Sequence, residues 1–237
     1  MTPPNPFASE PRFEIRKLEP QHIPWANAII THTNRYQSPA WAVLYHDRNA
    51  QTLYNFYHST EVIVGHCINS GYSYGLFDTQ YAFKNPAASA PTNGALLWDF
   101  SSPDATREEL EDQMDFPLVA IALAHDLFHT FDKDAMTPLF QELPLLGRMF
   151  TILDGLDTRD PASWKPTAPG QVAQRNGTNT VRGYEGKGLA KRMAIWHMRL
   201  MAELGFRGIQ IETANPAIDK LWLNPPEPFR AELDGDL

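Results

Sequence analysis

Three observations predict an α/β fold for this chain. The β-prone run "TNTV" (178–181) leads through a glycine-rich turn into an amphipathic helix, which in turn leads into "FRGIQIETAN" (206–215). That order of strand, helix and strand implies parallel pairing. "FEIRKL" (13–18) alternates apolar and charged residues, as a half-buried strand does. "YSYGLFD" (72–78) and "GALLWDF" (94–100) are two more strand-like runs, each bounded by turn residues.

The elements follow in order. Residues 1–11 carry prolines at positions 3, 4, 6 and 11 and few core formers, which predicts a flexible tail; 12–237 then form a single domain. "QHIPWANAIITHTNRY" (21–36) places Ile23, Ala26 or Asn27, and Ile30 on one side of a helix, and 50–71 form a second helix ending near Gly71. "KNPAASAPTN" (84–93) has the composition of a loop. "SPDATREELEDQM" (102–114) has helix-start signals and an acidic first turn. The apolar run "PLVAIALAHDLFHTFD" (117–132) is read as a helix, and the proline-rich stretch 134–170 as an insertion or lid. In the last third, Leu189, Met193, Trp196, Leu200 and Leu204 form one helical stripe that Gly205 ends.

With 43% hydrophobic and 20% charged residues the chain can bury a full core. It has no run of 18 apolar residues, so no membrane partner is expected. The N-terminus has no basic start or apolar stretch of the secretory kind, and Cys67 is the only cysteine. A cytoplasmic, or nuclear, location is expected. A net charge of −8 argues against nucleic acid and is compatible with an amine substrate.

"GYEGKGLAKRM" (183–193) carries the clearest chemistry. A glycine-rich turn entering a helix aims free backbone N–H groups at one spot, at the positive end of the helix dipole. The alternative is a tight turn that uses glycine only for its backbone freedom. Gly188 stands where a Walker loop needs a hydroxyl, which excludes that motif. "GKGLAK" lacks the third glycine of the dinucleotide fingerprint, and Glu212 comes a few residues too late to serve as its ribose partner.

The run Glu185, Gly186, Lys187, Gly188, Leu189, Ala190 resembles the pyrophosphate loop of the GNAT-type N-acetyltransferases, R/Q-x-x-G-x-G/A, with Gly188 and Ala190 on its small positions and Glu185 in place of the Arg or Gln. Downstream, "NPAIDKLW" (215–222) is similar to the family's N-x-x-A-I-x-L-Y segment: Asn215, Ile218, Leu221 and Trp222 are in register, and Ala217 is shifted by one. The likeness covers residues 178–222. The tail "NPPEPF" and the mid-chain insertion resemble a divergent, fungal-looking branch.

The resemblance implies a mixed, strongly twisted sheet with helices on both faces and a long insertion before the coenzyme-binding strand. It implies acetyl transfer from acetyl-CoA (coenzyme A as the cofactor) to a primary amine by direct attack. Backbone groups of Thr178, Asn179, Thr180 and Val181 would hold the pantetheine arm, and one N–H there would face the thioester oxygen. Asn215 would bond the coenzyme or make an Asx turn before Pro216. Trp222 takes the place of the family's tyrosine acid, although an indole N–H is no usable acid. Tyr184 is a candidate replacement. Asp99 and Glu212 are candidate bases, each with the alternative of a solvated carboxylate. The family adds two strands after Trp222, whereas here only "FRAEL" could supply one; either the sequence is cut short or a partner chain completes the sheet, and a homodimer is expected.

Two other readings stand beside this one. The first is a non-catalytic acyl-CoA-binding protein. The second is a metal-dependent hydrolase using His125 and His129, four apart on the expected helix, with Asp126 or Asp132. "HDLFH" lacks the glutamate of H-E-x-x-H, and helix histidines this close are more often simply packed. Cys67 beside His66 is read as a buried structural thiol.

Overall fold

The computed structural model describes residues 2–132, 134–213 and 215–233. Strand β1 (Phe13–Lys17) is followed by helices α1 (Ile23–Tyr36), α2 (Pro39–Leu44) and α3 (Ala50–Asn69), then strand β2 (Tyr74–Asp78). The Asn49 side chain accepts the Thr52 N–H at 2.9 Å and so caps α3. A short helix α4 (Pro86–Ser89), the two-residue strand β3 (Ala95–Leu96), helix α5 (Arg107–Asp112) and strand β4 (Met114–Asp115) lead into the long β5 (Leu118–Asp126). Helices α6 (Thr137–Glu142), α7 (Pro144–Leu156) and α8 (Pro161–Trp164) precede β6 (Val172–Thr180), α9 (Leu189–Glu203), β7 (Gly208–Ile211) and α10 (Pro216–Leu223).

The main sheet has the order β1-β2-β5-β6-β7. All neighbours are antiparallel except β6 and β7, which are parallel as the sequence predicts. Ile121 and Leu123 of β5 face the layer of α1 and α3. Ala120 and Ala122 face α9 through Leu189 and Met193. The fold is therefore α/β, with a mixed sheet between two helical layers.

Four expectations are corrected. Residues 118–126 form the central strand, not a helix; all nine are buried, and a strand covered on both faces loses its alternation and reads as one apolar run. Of "GALLWDF" only Ala95 and Leu96 pair, with β4, while Trp98 turns into the core and donates its indole N–H to Leu110. The tail is docked. Phe7 is fully buried, the Arg192 guanidinium lies 4.1 Å over its ring, and the Trp196 indole donates to the Pro3 carbonyl. The 134–170 stretch begins as part of the core, because Leu139 and Leu143 are buried with Phe56 of α3.

Candidate functional site

Residues Val172–Arg175 of β6 pair with Gly208–Ile211 of β7, and β7 then ends. The pairing of β6 with β5 continues to Thr180. The β7 side of residues 176–180 thus has no strand partner among the described residues, and the two strands part in a notch whose apex is Arg175. A register shift between Leu123 and Ala124 inserts Asn176 as a bulge there.

The notch opens towards the glycine loop. Gly183, Gly186 and Gly188 have φ of 84°, 71° and 69°, which side-chain-bearing residues rarely adopt, and each has open space where a Cβ would stand. Gly188 is the N-cap of α9, and no side chain caps the helix. The first turn therefore presents bare N–H groups outward, where the helix dipole favours an anion. Glu185 and Lys187 are both exposed, and the Lys187 ammonium donates to the Gly183 carbonyl at 2.8 Å. Leu189 is buried and anchors the helix start, with Ala190 half-buried beside it.

Along the strand, Thr178 Oγ1 accepts from Arg175 Nη2 at 2.5 Å. The Asn179 amide donates to Thr33 Oγ1 at 2.7 Å and to Asn34 Oδ1 at 3.1 Å, tying β6 to α1. Thr180 pairs with Ala120, and the Val181 N–H donates to the Val119 carbonyl.

At the apex, His125 of β5 is 1% exposed on the α3 face, its Nδ1 2.7 Å from Asn176 Oδ1. With the amide oxygen there, Nδ1 carries the hydrogen and Nε2 is the basic nitrogen. The rings of His66 and Phe131 pack against it. Burial, partly opposed by the Asn176 bond, pushes the imidazole down to about 4, so it is neutral at physiological pH. On the opposite face, Arg175 is 2% exposed and lies 5.7 Å from the Trp222 ring.

Several predicted residues are spent elsewhere. Tyr184 donates its hydroxyl to Asp78 at 2.7 Å, in a cluster that Arg12 completes. Burial and the Asp78 charge push that phenol up to about 12, so it is no proton donor for a leaving group. Asp99 is exposed on a loop and accepts from Ser101, whose hydrogen bonds lower its carboxyl. Glu212 is exposed just beyond β7; crowding by the surrounding chain and the Asp154 charge raise its carboxyl. Asn215 caps α10 by accepting the Ala217 N–H at 2.9 Å, which is the Asx-type alternative.

The metal reading loses its geometry. His125 lies in a strand, and His129 follows it in a turn where its carbonyl accepts from His66 Nε2. The carboxylate of Asp126 accepts the Phe128 and Gly170 N–H groups. Among the described residues, no group of three His, Cys, Asp or Glu side chains could hold a metal ion. A 460 Å³ cavity touching His66, Asp126 and His129 lies at the end of β5 far from the glycine loop. No described helix is long and apolar enough to cross a membrane.

Sequence reasoning missed Arg175 and the His125–Asn176 pair. The run "QRNGTNT" is the available signal, since six polar residues interrupted only by Gly177 are unusual in an internal strand.

No known family matches the sequence, and no curated protein matches it. Among solved structures the chain is similar to the C-terminal condensation domain of Ebony, determined in complex with beta-alanyl-dopamine. The TM-score is 0.55 at 14% identity, over 88% of this chain and 79% of that one. At that identity the likeness concerns the fold.

Proposed function

We propose that the protein transfers an acetyl group from acetyl-CoA to a primary amine, as an acyltransferase of GNAT type. The observation that carries this reading is the continuity of three features. The unpaired edge of β6 at 176–180 runs into the open glycine loop, and the loop runs into the uncapped start of α9. A thioester with a phosphate at the far end of an amide-bearing arm matches that sequence of backbone donors. The likeness of residues 178–222 to the family, and the fold shared with a condensation domain, support the same reading.

These residues fit the coenzyme, with one departure. Backbone N–H groups of the loop and of α9 would hold the diphosphate, and free backbone groups of 176–180 would hold the arm. Glu185 adds a carboxylate beside the anion, which the backbone N–H groups, with Lys187 and Lys191 close in the chain, would have to outweigh. In the transfer the amine nitrogen bonds to the thioester carbon, the carbon–sulfur bond breaks, and the amine gives up a proton. Because burial disfavours the charged imidazole, His125 is assigned that proton only as the carbon–sulfur bond breaks and the nitrogen becomes strongly acidic, through Nε2, with Asn176 holding its tautomer. A second copy of the chain, covering the outer edge of β7, stays part of the proposal, because an open edge invites pairing.

The test is release of coenzyme A thiol from acetyl-CoA in the presence of a panel of primary amines. The reading expects turnover that His125→Ala lowers about 100-fold, with the calorimetric affinity for acetyl-CoA unchanged. Tight binding without turnover for any amine would leave a non-catalytic acyl-CoA-binding protein.

A further inference from the structure

Arg175 is the most unusual charged residue in the molecule. It is among the largest fully buried side chains, and no carboxylate pairs with it among the described residues. Of its donors, Nη2 bonds Thr178 Oγ1, while Nε and Nη1 have no partner. The Trp222 indole N–H beside it is also buried and unpartnered. A buried charge left uncompensated is costly, and so are buried N–H groups without acceptors.

The titratable groups packed near it cannot compensate. Burial pushes the Cys67 thiol of α3 up to about 12, so it is no anion. Burial and the Arg175 charge push His197 of α9 down to about 3, and that ring donates Nε2–H to the Tyr72 carbonyl. Arg175 itself is pushed down by burial to about 10, and so keeps its charge at neutral pH.

Its direction is also informative. Through Thr178 the guanidinium leans along β6 beside the stretch that has no β7 partner. Residues 176–180, the part of β6 between Arg175 and the turn into the glycine loop, span about 16 Å at the usual rise of a strand, and an extended arm can lie along them. An arm held by its phosphate at the start of α9 and laid along that free edge would point its sulfur towards the apex.

We propose that Arg175, with the Trp222 indole N–H, forms a buried receptor for the thiolate that leaves when the thioester is cleaved. This rests on the acyl-CoA reading above and names the group that carries the leaving charge. When the amine adds and the carbon–sulfur bond breaks, the electron pair goes to sulfur. The guanidinium stabilises that anion where it forms, so no acid at the position of Trp222 is required. The amine's proton leaves on the opposite face, towards His125. The two faces of the notch thus divide the charges.

The experiment titrates the thiol of bound coenzyme A by its thiolate absorbance, as a difference against the complex with desulfo-coenzyme A so that protein tyrosinates cancel. A free thiol of this kind titrates near 8.5. The expected result is a tenfold or greater increase in acidity in the native complex, lost in Arg175→Met. Methionine has similar bulk without charge, and replacing an unpaired buried charge by an apolar side chain is expected to leave the Tm of the unliganded protein unchanged or raised. A bound thiol titrating as in free solution in the native complex overturns the proposal without recourse to any variant. A collapse of Tm in Arg175→Met also overturns it, because the arginine is then structural. Failure of coenzyme A to bind at all is a distinct outcome and overturns the acyl-CoA reading together with this one.

Discussion

Gly188→Glu is expected to weaken acetyl-CoA binding about 100-fold, on the order of 3 kcal/mol. Gly188 has a φ of 69°, and a residue with a Cβ there costs roughly 1–2 kcal/mol. The new carboxylate would sit at the N-cap of α9, where it accepts the first-turn N–H groups that an anion would otherwise use. The position is exposed with open space around it, so the fold is expected to persist with unchanged helical circular dichroism. Calorimetric titration of both proteins measures the ratio. Equal affinities would move the anion away from this loop.

Asp115→Ala carries the largest expected effect on stability. Asp115 is 0% exposed, and its carboxylate accepts from Ser89 Oγ at 2.6 Å, the Lys84 and Asn85 N–H groups at 2.9 Å each, and the Tyr81 hydroxyl at 3.2 Å. Truncation leaves several buried donors without an acceptor, which costs about 4 kcal/mol. The Tm is expected to fall by about 8–16 °C in a domain of this size. Burial alone raises this carboxyl, but the four hydrogen bonds outweigh it and hold it below the usual range. A depressed pKa in the folded state contributes stability that is present above the unfolded value, near 3.9 for an aspartate. That stability disappears as pH falls through the lower folded value. The difference in Tm between native protein and variant is therefore expected to be constant from pH 7 to 5 and to shrink below about pH 4. An unchanged Tm at neutral pH would contradict this account.

The parts of the fold legible in the sequence are those with one wet face. The stripe from Leu189 to Leu200 became α9, whose exposed Lys191, Arg199 and Glu203 preserve the period, whereas Leu204, expected on the same stripe, lies just past the helix and is exposed; Ile209 and Ile211 became β7, all four residues of which are half-buried. β5 has no wet face, so its nine buried residues show no period, and its sequence reads as a helix. That error hid the apex. With His125 placed on a helix, its partner Asn176, 51 residues away on the next strand, had no reason to be considered. Arg175 was hidden differently. A polar run reads as solvated, and only the packing of α9 and α10 over the sheet shows that its guanidinium is enclosed. The glycine turn, whose left-handed backbone at Gly183, Gly186 and Gly188 needs no particular side chain, could be read from spacing alone.

In the proposed complex an extended thioester arm takes up the free edge of β6 at 176–180. Hydrogen exchange of the backbone amides, with and without saturating acetyl-CoA, tests it most directly. Slowed exchange is expected, confined to residues 176–180 and to the loop and first turn at 183–191, with β1 and β2 unaffected. Acetyl-CoA binding that leaves 176–180 exchanging as before, or that protects the cavity beside His66 and His129 instead, would contradict it.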